Sequence, residues 1–264
     1  MFRSDAVHLL QVDPELGRLV PPDRREDAVA GFRVPCVRLR IGAWDVGGIG
    51  GDEQLVGLLV LSGILAREVV VADNVSTELL GPGDVIRPWQ GNGGPDDLLP
   101  NEVRWTALAD TRLAVLERRF AAQAARHPEV NWMLMHRITE RAHRLATAQA
   151  VSQLTRVDRR LLALMWHLAE RWGRVCTDGV IVPLALSHRI LGQLVGARRP
   201  TVSSALSDLA RREELVRRED GSWLLAGDPP DEPDAAATAL VQARRQVAVP
   251  ARTAVIRPRA TVAT

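Results

Sequence analysis

The sequence predicts an α+β protein with an N-terminal antiparallel β jelly roll or small barrel, a long helix, and a C-terminal helix pair followed by a hairpin. Three observations lead to this prediction. Short apolar runs alternate with glycine turns in the first third of the 264-residue chain, as in antiparallel sheets. A stretch with helical spacing and no internal glycine follows. Two short amphipathic segments then flank a single glycine.

The first part, residues 1–126, is predicted to be a β-domain. Val37, Leu39 and Ile41 alternate with arginines, which is typical of a half-buried strand. Glycine-containing turns and polar loops bound the other apolar runs. Further strands are predicted within 55–71, broken at Ser62-Gly63, within 78–86 and within 103–116, with turns at the glycines of 47–51 and in the polar loop 90–97.

The second part is predicted to be a long amphipathic helix. No glycine interrupts the chain from Arg118 to Ser152, and its only proline is Pro128. The apolar stripe is narrow, so it fits either the β-domain or a second copy of the chain across a two-fold axis. We expect a homodimer, with residues 127–155 as dimerisation helix and hinge. The predicted dimer contacts are Met135, Ile138, Ala142 and Leu145.

The third part, residues 156–226, is predicted to begin with a helix from about Asp158 to Gly173, which places a hinge near 152–157. A short hairpin is expected around Asp178-Gly179. Ser187 is then a good N-cap for a helix over His188–Val195.

A second short helix is predicted to start near Arg199, with Gly196 allowing a sharp turn before it. Its inner face is apolar, and its outer face carries arginine and small hydroxyl side chains. This is the geometry of a helix-turn-helix, in which the second helix enters the DNA major groove and arginine recognises guanine. An ordinary helical hairpin is the alternative, but it would not explain the basic face. The predicted base-reading residues are Arg199, Ser203 and Ser204.

A second predicted hairpin, around Asp220-Gly221, would form a wing beside the DNA backbone. We expect Arg198, Arg217 and Arg218 to contact phosphates. The chain contains no lysine, so all 34 basic residues are arginine, a planar donor suited to phosphate and guanine. Although the net charge is only +2, residues 112–174 carry twelve arginines and five acidic residues, so a polyanionic partner is compatible with the composition.

The segment LGQLVGARRPTVSSALSDL resembles the DNA-binding helices of the Crp/Fnr family of bacterial transcription regulators. LVLSGILAREV and LLGPGDVI resemble the turns of that family's cyclic-nucleotide-binding-like sensor domain. The resemblance covers about residues 35–225. It implies a β-rich sensor, a dimerisation helix and a winged helix-turn-helix that binds double-stranded DNA as a homodimer, with RNA polymerase as a further candidate partner.

The resemblance also assigns individual residues. Arg199 matches the family's leading base-reading arginine, and Ser187 and Thr201 match positions that touch phosphate. Pro200 stands where many members carry a base-reading glutamate, and Ser204 where several carry a second arginine. We therefore expect an operator that differs from the best-known consensus of the family.

The sensor lacks the residues that the family uses to bind a cyclic nucleotide. Arg87-Pro88-Trp89 replaces the expected Gly-Glu, and Asn101-Glu102-Val103 replaces the expected Arg-Ser/Thr-Ala, so Glu102 would repel a phosphate. The effector, if the β-domain has one, is then not a standard cyclic nucleotide. The candidate pocket residues are Arg87, Trp89 and Arg104, and the alternative is that these are structural or surface residues.

Other chemistries are disfavoured, and we expect no cofactor and no metal. Two distant cysteines, Cys36 and Cys176, do not suffice for an iron–sulfur cluster. A cupin-like enzyme is the rival class, but residues 30–116 contain no histidine to ligate a metal. A third hypothesis is a ligand-independent DNA binder whose β-domain serves only as a scaffold.

The remaining expectations concern location and the C-terminus. No long apolar segment predicts a membrane span or a signal peptide, so we expect a cytoplasmic protein. The tail, 227–264, is rich in Pro, Ala and Asp and then in Arg and Val, and is predicted to be disordered.

Overall fold

The computed structural model describes residues 5–46, 55–89 and 98–227. The predicted turn glycines at 47–51, the predicted polar loop 90–97 and the tail after Gly227 lie outside these residues. The strands are β1 (Asp5–His8), β2 (Arg33–Leu39), β3 (Gly42–Ala43), β4 (Leu55–Ser62), β5 (Leu65–Val71), β6 (Asn74–Leu80), β7 (Val85–Ile86), β8 (Glu102–Ala107), β9 (Thr111–Glu117), β10 (Arg174–Cys176), β11 (Gly179–Val182), β12 (Leu215–Arg217) and β13 (Trp223–Leu225). The helices are α1 (Leu9–Val12), α2 (Pro22–Gly31), α3 (Arg118–Arg126), α4 (Pro128–Ser152), α5 (Val157–Trp172), α6 (His188–Val195) and α7 (Arg199–Arg211), and a 3-10 turn spans Pro14–Gly17.

The β-domain consists of two antiparallel sheets, as predicted. One has the order β1-β2-β9-β4-β7 and the other β3-β8-β5-β6. The chain crosses from the first sheet to the second between β4 and β5 at Gly63, whose φ of 90° favours glycine. The packed core between the sheets contains Leu58, Leu65 and Trp105. Ile41, expected to continue β2, lies beyond its end and is 68% exposed, so that part of the strand prediction is wrong.

The first sheet is covered on its second face by helices, of which α1 and α2 were not predicted from the sequence. Leu58 and Leu59 are neighbours on β4 and both are fully buried, one between the sheets and one beneath the helices. Phe32 and Phe120 pack on that second face at a ring distance of 5.3 Å. The first third of the chain is therefore not only strands and turns. The helical additions α1, α2 and α3 explain why β4 is apolar throughout instead of alternating.

The predicted long helix is divided into α3 and α4 at His127. Pro128 occupies the first position of α4, where its missing N–H is tolerated. Proline has no N–H to donate to the carbonyl of Ala124, four residues earlier. That carbonyl instead accepts hydrogen bonds from the His127 backbone amide and from Nδ2 of Asn131. The expectation of one uninterrupted helix from Arg118 is thus wrong, whereas its end at Ser152 is confirmed. Among the described residues, no helix combines the length and apolar character needed to cross a membrane.

The C-terminal part has the predicted helix-turn-helix and wing. Helix α5 begins at Val157, one residue before the prediction. The first hairpin, β10-β11, and the second, β12-β13, form one sheet with the order β10-β11-β13-β12. The turn at Gly179 has a φ of 138°, which favours glycine. Residues 153–156 connect α4 to α5, where the hinge was predicted.

The helix-turn-helix packs directly against the β-domain, a contact that the sequence did not predict. Ala66 and Leu79, from β5 and β6, belong to the same buried cluster as the inner residues of α5, α6 and α7. At Gly81 an added Cβ would lie 3.1 Å from the Trp172 ring, so glycine allows this close approach. Polar contacts flank the apolar ones, with Arg189 on α6 lying 3.3 Å from Glu68 on β5.

Candidate nucleic-acid interface

Helices α6 and α7 are held at a fixed angle by two glycines. The Ser187 side chain caps α6 by accepting a hydrogen bond from the Ile190 amide at 3.3 Å, as predicted. Gly196 ends α6 in the left-handed conformation, with φ 63° and ψ 43°. Gly192, which sequence reasoning missed, lies where a Cβ would approach the Ala197 carbonyl oxygen to 2.5 Å. The tight turn therefore requires glycine at 192 for space and favours it at 196 for conformation.

The N-terminus of α7 presents an exposed basic surface. Val202, Leu206 and Leu209 are buried beneath it, as the helical spacing predicted. Within residues 5–46, 55–89 and 98–227, no ion pair or side-chain hydrogen bond engages the guanidinium groups of Arg198 and Arg199. These two cations are therefore available to an external anion. The residues that the interface prediction placed here and that are exposed are Ser187, Arg198, Arg199, Thr201 and Ser204.

The serine hydroxyls of α7 bind their own helix. Ser203 donates to the carbonyl of Arg199 at 3.1 Å, Ser204 to that of Pro200 at 3.3 Å, and Ser207 to that of Ser203 at 3.0 Å. These contacts hold the serine side chains close to the backbone, so they project little from the surface of α7. Ser203 differs from the others because it is half-buried and contacts His188 of α6.

The wing places two further arginines beside α7. Arg217 is exposed, and its guanidinium carbon lies 5.6 Å from the centre of the Trp223 ring. Arg218 is 3.8 Å from Asp220, a loose contact that leaves its other donors free. Asp220 shapes the turn by accepting from the Ser222 hydroxyl and amide, and the Ser222 hydroxyl is the main cause of the lowered pKa of Asp220.

A buried carboxylate fixes α7 to α5. Asp158 accepts hydrogen bonds from Arg156 at 2.7 Å and from Arg212, just beyond the end of α7, at 3.1 Å. Burial by itself would raise the pKa of Asp158. The hydrogen bonds from the two arginines outweigh it, and the pKa is lowered below the ordinary value. Asp158 is thus an ionised anchor for the helix that carries Arg199.

An apolar stripe runs along α4 and is exposed in the single chain. The predicted dimer residues Met135, Ile138 and Leu145 are 62%, 45% and 41% exposed, and Ala142 between them is exposed too. Trp132, 54% exposed, extends the stripe by one turn. The spacing of three and four residues is that of a two-stranded coiled-coil seam.

The three candidate effector residues do not line one pocket. Arg87 borders a cavity of about 300 Å³ between β7 and α4, together with Arg67 and Arg141. Trp89 contacts Arg87, with its ring centre 5.9 Å from the guanidinium carbon. Arg104 is bound elsewhere, by two hydrogen bonds to Glu102 at 2.6 and 2.7 Å.

Two observations bear on the chemistry of the β-domain. The hydrogen bond from Arg104 is the main cause of the lowered pKa of Glu102. Glu102 is therefore an anion at neutral pH, and its charge is matched by that of Arg104. Within the described parts of the chain, no group of three or more His, Cys, Asp or Glu side chains is arranged to hold a metal.

Comparison with known proteins agrees with this architecture. Residues 155–226 match the Crp-like helix-turn-helix domain. A global nitrogen regulator from Nostoc sp. is 28% identical over 34% of this chain and 40% of that protein. A CRP-like cAMP-activated global transcriptional regulator from Mycobacterium tuberculosis is 28% identical over 56% of this chain and 64% of that protein. The matches thus span about half the length of these two relatives.

A solved structure extends the likeness of fold to the β-domain. The cyclic-nucleotide-binding-domain-containing protein from Listeria monocytogenes aligns with 81% of this chain and 97% of its own, at a TM-score of 0.60 and 17% identity. This likeness shows that the β-domain, long helix and helix-turn-helix occur together in the same order in a known fold. The helix-turn-helix match shows that residues 155–226 carry a Crp-like helix-turn-helix domain, and the likeness to the solved structure extends to the fold alone.

Proposed function

We propose that this protein is a sequence-specific DNA-binding transcription regulator that binds an inverted-repeat operator as a homodimer. One observation carries the proposal: Arg198 and Arg199 lie exposed and without ion pairs, within the described residues, at the N-terminus of α7. Arginine in this position recognises the O6 and N7 atoms of guanine. The two curated relatives are named as transcription regulators, which supports the same function here.

The proposed contacts divide into two groups. Arg199, Ser203 and Ser204 would face base edges, and because Ser203 is half-buried, Arg199 and Ser204 would contribute most. Contacts to the DNA backbone would set register and add affinity without sequence preference. The proposed phosphate-binding residues are Ser187, Arg198, Thr201, Arg217 and Arg218.

Homodimerisation would bury the apolar stripe of α4. Met135, Ile138, Ala142 and Leu145 would pair with their copies across a two-fold axis, as in a coiled coil. The two copies of α7 would then contact half-sites about one DNA turn apart, roughly 34–36 Å. The operator would be a palindrome. The protein would act in the cytoplasm, and RNA polymerase would be a further protein partner.

We propose that the β-domain regulates this binding through an effector other than a standard cyclic nucleotide. The 300 Å³ cavity at Arg87 is the candidate effector site, and Arg87 favours an anion there, whereas Arg67 and Arg141 are already paired with Glu78. Trp89 contacts Arg87, whereas Arg104, with its charge matched by Glu102, would lie at most at the edge of such a site. The alternative is a ligand-independent DNA binder with a scaffold β-domain.

Selection of bound sites from random duplex DNA tests the proposal. The purified ligand-free protein is used at about 150 mM salt, where weak phosphate-only binding is suppressed. A palindromic consensus supports the dimeric regulator and shows that no effector is needed. If no sequence is enriched, the selection is repeated after adding the small-molecule filtrate of a cell extract to the protein. Enrichment then supports an effector-dependent regulator, and a second failure contradicts sequence-specific DNA binding.

A further inference from the structure

His188 joins the two helices of the interface. It is the first residue of α6 and is half-buried. Its Nδ1 atom lies 2.9 Å from Oγ of Ser203, and that Oγ lies 3.1 Å from the carbonyl oxygen of Arg199. These contacts form a chain from the N-terminus of α6 to the first turn of α7, on the surface that presents Arg199.

These two hydrogen bonds determine which ring nitrogen of His188 carries a proton. A serine hydroxyl has one proton, and the carbonyl of Arg199 can only accept. Both contacts are hydrogen bonds only if Ser203 donates to that carbonyl while Nδ1–H of His188 donates to Ser203. In the neutral ring, Nε2 then carries a lone pair. In the protonated ring, Nε2 carries a second N–H that is free to donate.

No carboxylate near His188 neutralises a protonated ring. Across the described residues, no acidic side chain lies within ion-pair distance of it. Its neighbour Arg189 is paired with Glu68 on β5. The other elements that pack against α6 are α4, α5, α7 and β6. Their charged groups near these contacts are Arg144, paired with Asp84; Arg160, which donates to the carbonyls of Val195 and Gly196; Arg199; and Glu78, paired with Arg141 and Arg67.

We propose that protonated His188 is a DNA phosphate ligand, held in place by Ser203, so that each subunit takes up a proton when it binds DNA. This inference rests on the proposed DNA-binding function. The backbone phosphate supplies the negative charge that the free protein lacks beside the ring, and Nε2–H donates to a phosphate oxygen. The neutral tautomer instead presents a lone pair to the phosphate, which repels it. The proton comes from the solvent and returns to it on dissociation.

The inference makes DNA affinity depend on pH in one direction. Because the complex binds more protons than the free protein, affinity falls as pH rises through the range in which histidine titrates. The steepest slope is about tenfold in affinity per pH unit for each proton taken up. A dimer takes up two protons, so the combined effect reaches about a hundredfold per pH unit at its maximum.

Affinity for the selected operator, measured by fluorescence anisotropy between pH 6 and 8 at constant ionic strength, tests this. Wild type should weaken as pH rises. His188→Gln should bind DNA weakly, with an affinity that depends little on pH. His188→Arg should bind DNA tightly at all these pH values, because arginine keeps its charge. Ser203→Ala should flatten the profile, because the freed ring can adopt the tautomer with a proton on Nε2. His8→Gln, whose histidine contacts the Val29 carbonyl in the β-domain, is the matched control and should follow wild type.

Calorimetry on the unmodified protein gives a second test that no folding defect can affect. DNA binding at pH 7 is measured in two buffers with different ionisation heats, and the difference gives the protons taken up. Uptake that disappears in His188→Arg supports the proposal. Specific binding without net uptake, or an unchanged pH slope in a folded His188→Gln variant, overturns it but leaves the proposed function intact. If neither wild type nor variants bind any duplex at any pH, the proposed function itself fails.

Discussion

Arg171 of α5 reaches the β-domain turn and binds the buried carboxylate of Asp84, with 2.7 Å between Nη1 and Oδ2. Asp84 is 2% exposed and also accepts from Arg144 of α4 at 2.6 Å and from the Gly81 amide at 2.9 Å. One carboxylate thus joins the β-domain, the long helix and the helix-turn-helix domain.

Asp84→Ala should lower the free energy of unfolding by about 3 kcal/mol, because it leaves two partly buried arginines without their anion. Urea denaturation followed by circular dichroism measures the change. Asp23→Ala is the control, since Asp23 is exposed on α2 and has no ion pair among the described residues. Equal stability of the two variants would show that the Asp84 cluster does not hold the domains together.

Asp158→Asn should destabilise the protein at pH 7 but not in acid. The lowered pKa of Asp158 means that its contribution is fully present above the unfolded value, about 3.9, and is lost as pH falls through the lower folded value. Urea unfolding of both proteins at several pH values between 3 and 7 measures this. The difference between the two proteins should shrink toward the acidic end, and a constant difference would contradict the assignment.

Leu145→Glu should weaken the proposed homodimer, because it places a charge on the exposed apolar stripe of α4. The loss of leucine burial alone is about 1.5–3 kcal/mol per copy. Sedimentation equilibrium measures the dimer dissociation constant, and circular dichroism checks that the helix persists. Glu140→Gln, an exposed change on another face of the same helix, should leave the dimer intact. A Leu145→Glu dimer of unchanged strength would place the two-fold axis elsewhere.

Gly192→Ala and Gly196→Ala should differ although both change one glycine of the same motif. At Gly196 nothing lies within 4 Å of an added Cβ. The cost of alanine there comes only from the left-handed backbone conformation and is about 1–2 kcal/mol. At Gly192 the Cβ meets the Ala197 carbonyl oxygen at 2.5 Å, so the two helices must separate. Operator affinity should therefore fall much further for Gly192→Ala, and comparable affinities would contradict this packing argument.

Arg199→Ala and Arg218→Ala should weaken DNA binding in different ways. Arg199→Ala should cost about 1–3 kcal/mol on the operator and relax one base position. Arg218→Ala should weaken all sequences alike and reduce the slope of log affinity against log salt by about 1. Binding titrations at several salt concentrations measure both. Arg126→Ala, an exposed arginine on α3, is the control. A uniform loss in Arg199→Ala would show that it contacts only the backbone.

Local signals made the C-terminal motif predictable from sequence. Ser187, Gly196 and Val202 each act through neighbours a few residues away, and they are the N-cap, the turn glycine and a buried side chain, as predicted. The N-terminal helices were missed because α2 has a weakly apolar face and depends on distant packing against the first sheet.

Other features depended on contacts that no single segment reveals. Ser203 was predicted to face DNA, but its bond to His188 spans fifteen residues and appears only when the two helices are placed together. The separation of Arg87 from Arg104 follows from the alternation of side chains along β8, because Trp105 lines the cavity at Arg87 while its neighbour Arg104 lies on the other face with Glu102.

The shared packing of Ala66 and Leu79 with α5, α6 and α7 has a consequence for how the protein can be divided. The family match begins at residue 155, but part of the apolar core of that region comes from Ala66 and Leu79, far earlier in the chain. A fragment starting at the hinge would expose side chains that are buried here, and the β-domain left behind would expose the complementary patch. We expect both pieces to aggregate more readily than the intact chain, because the boundary drawn by homology does not coincide with the boundary of cooperative folding.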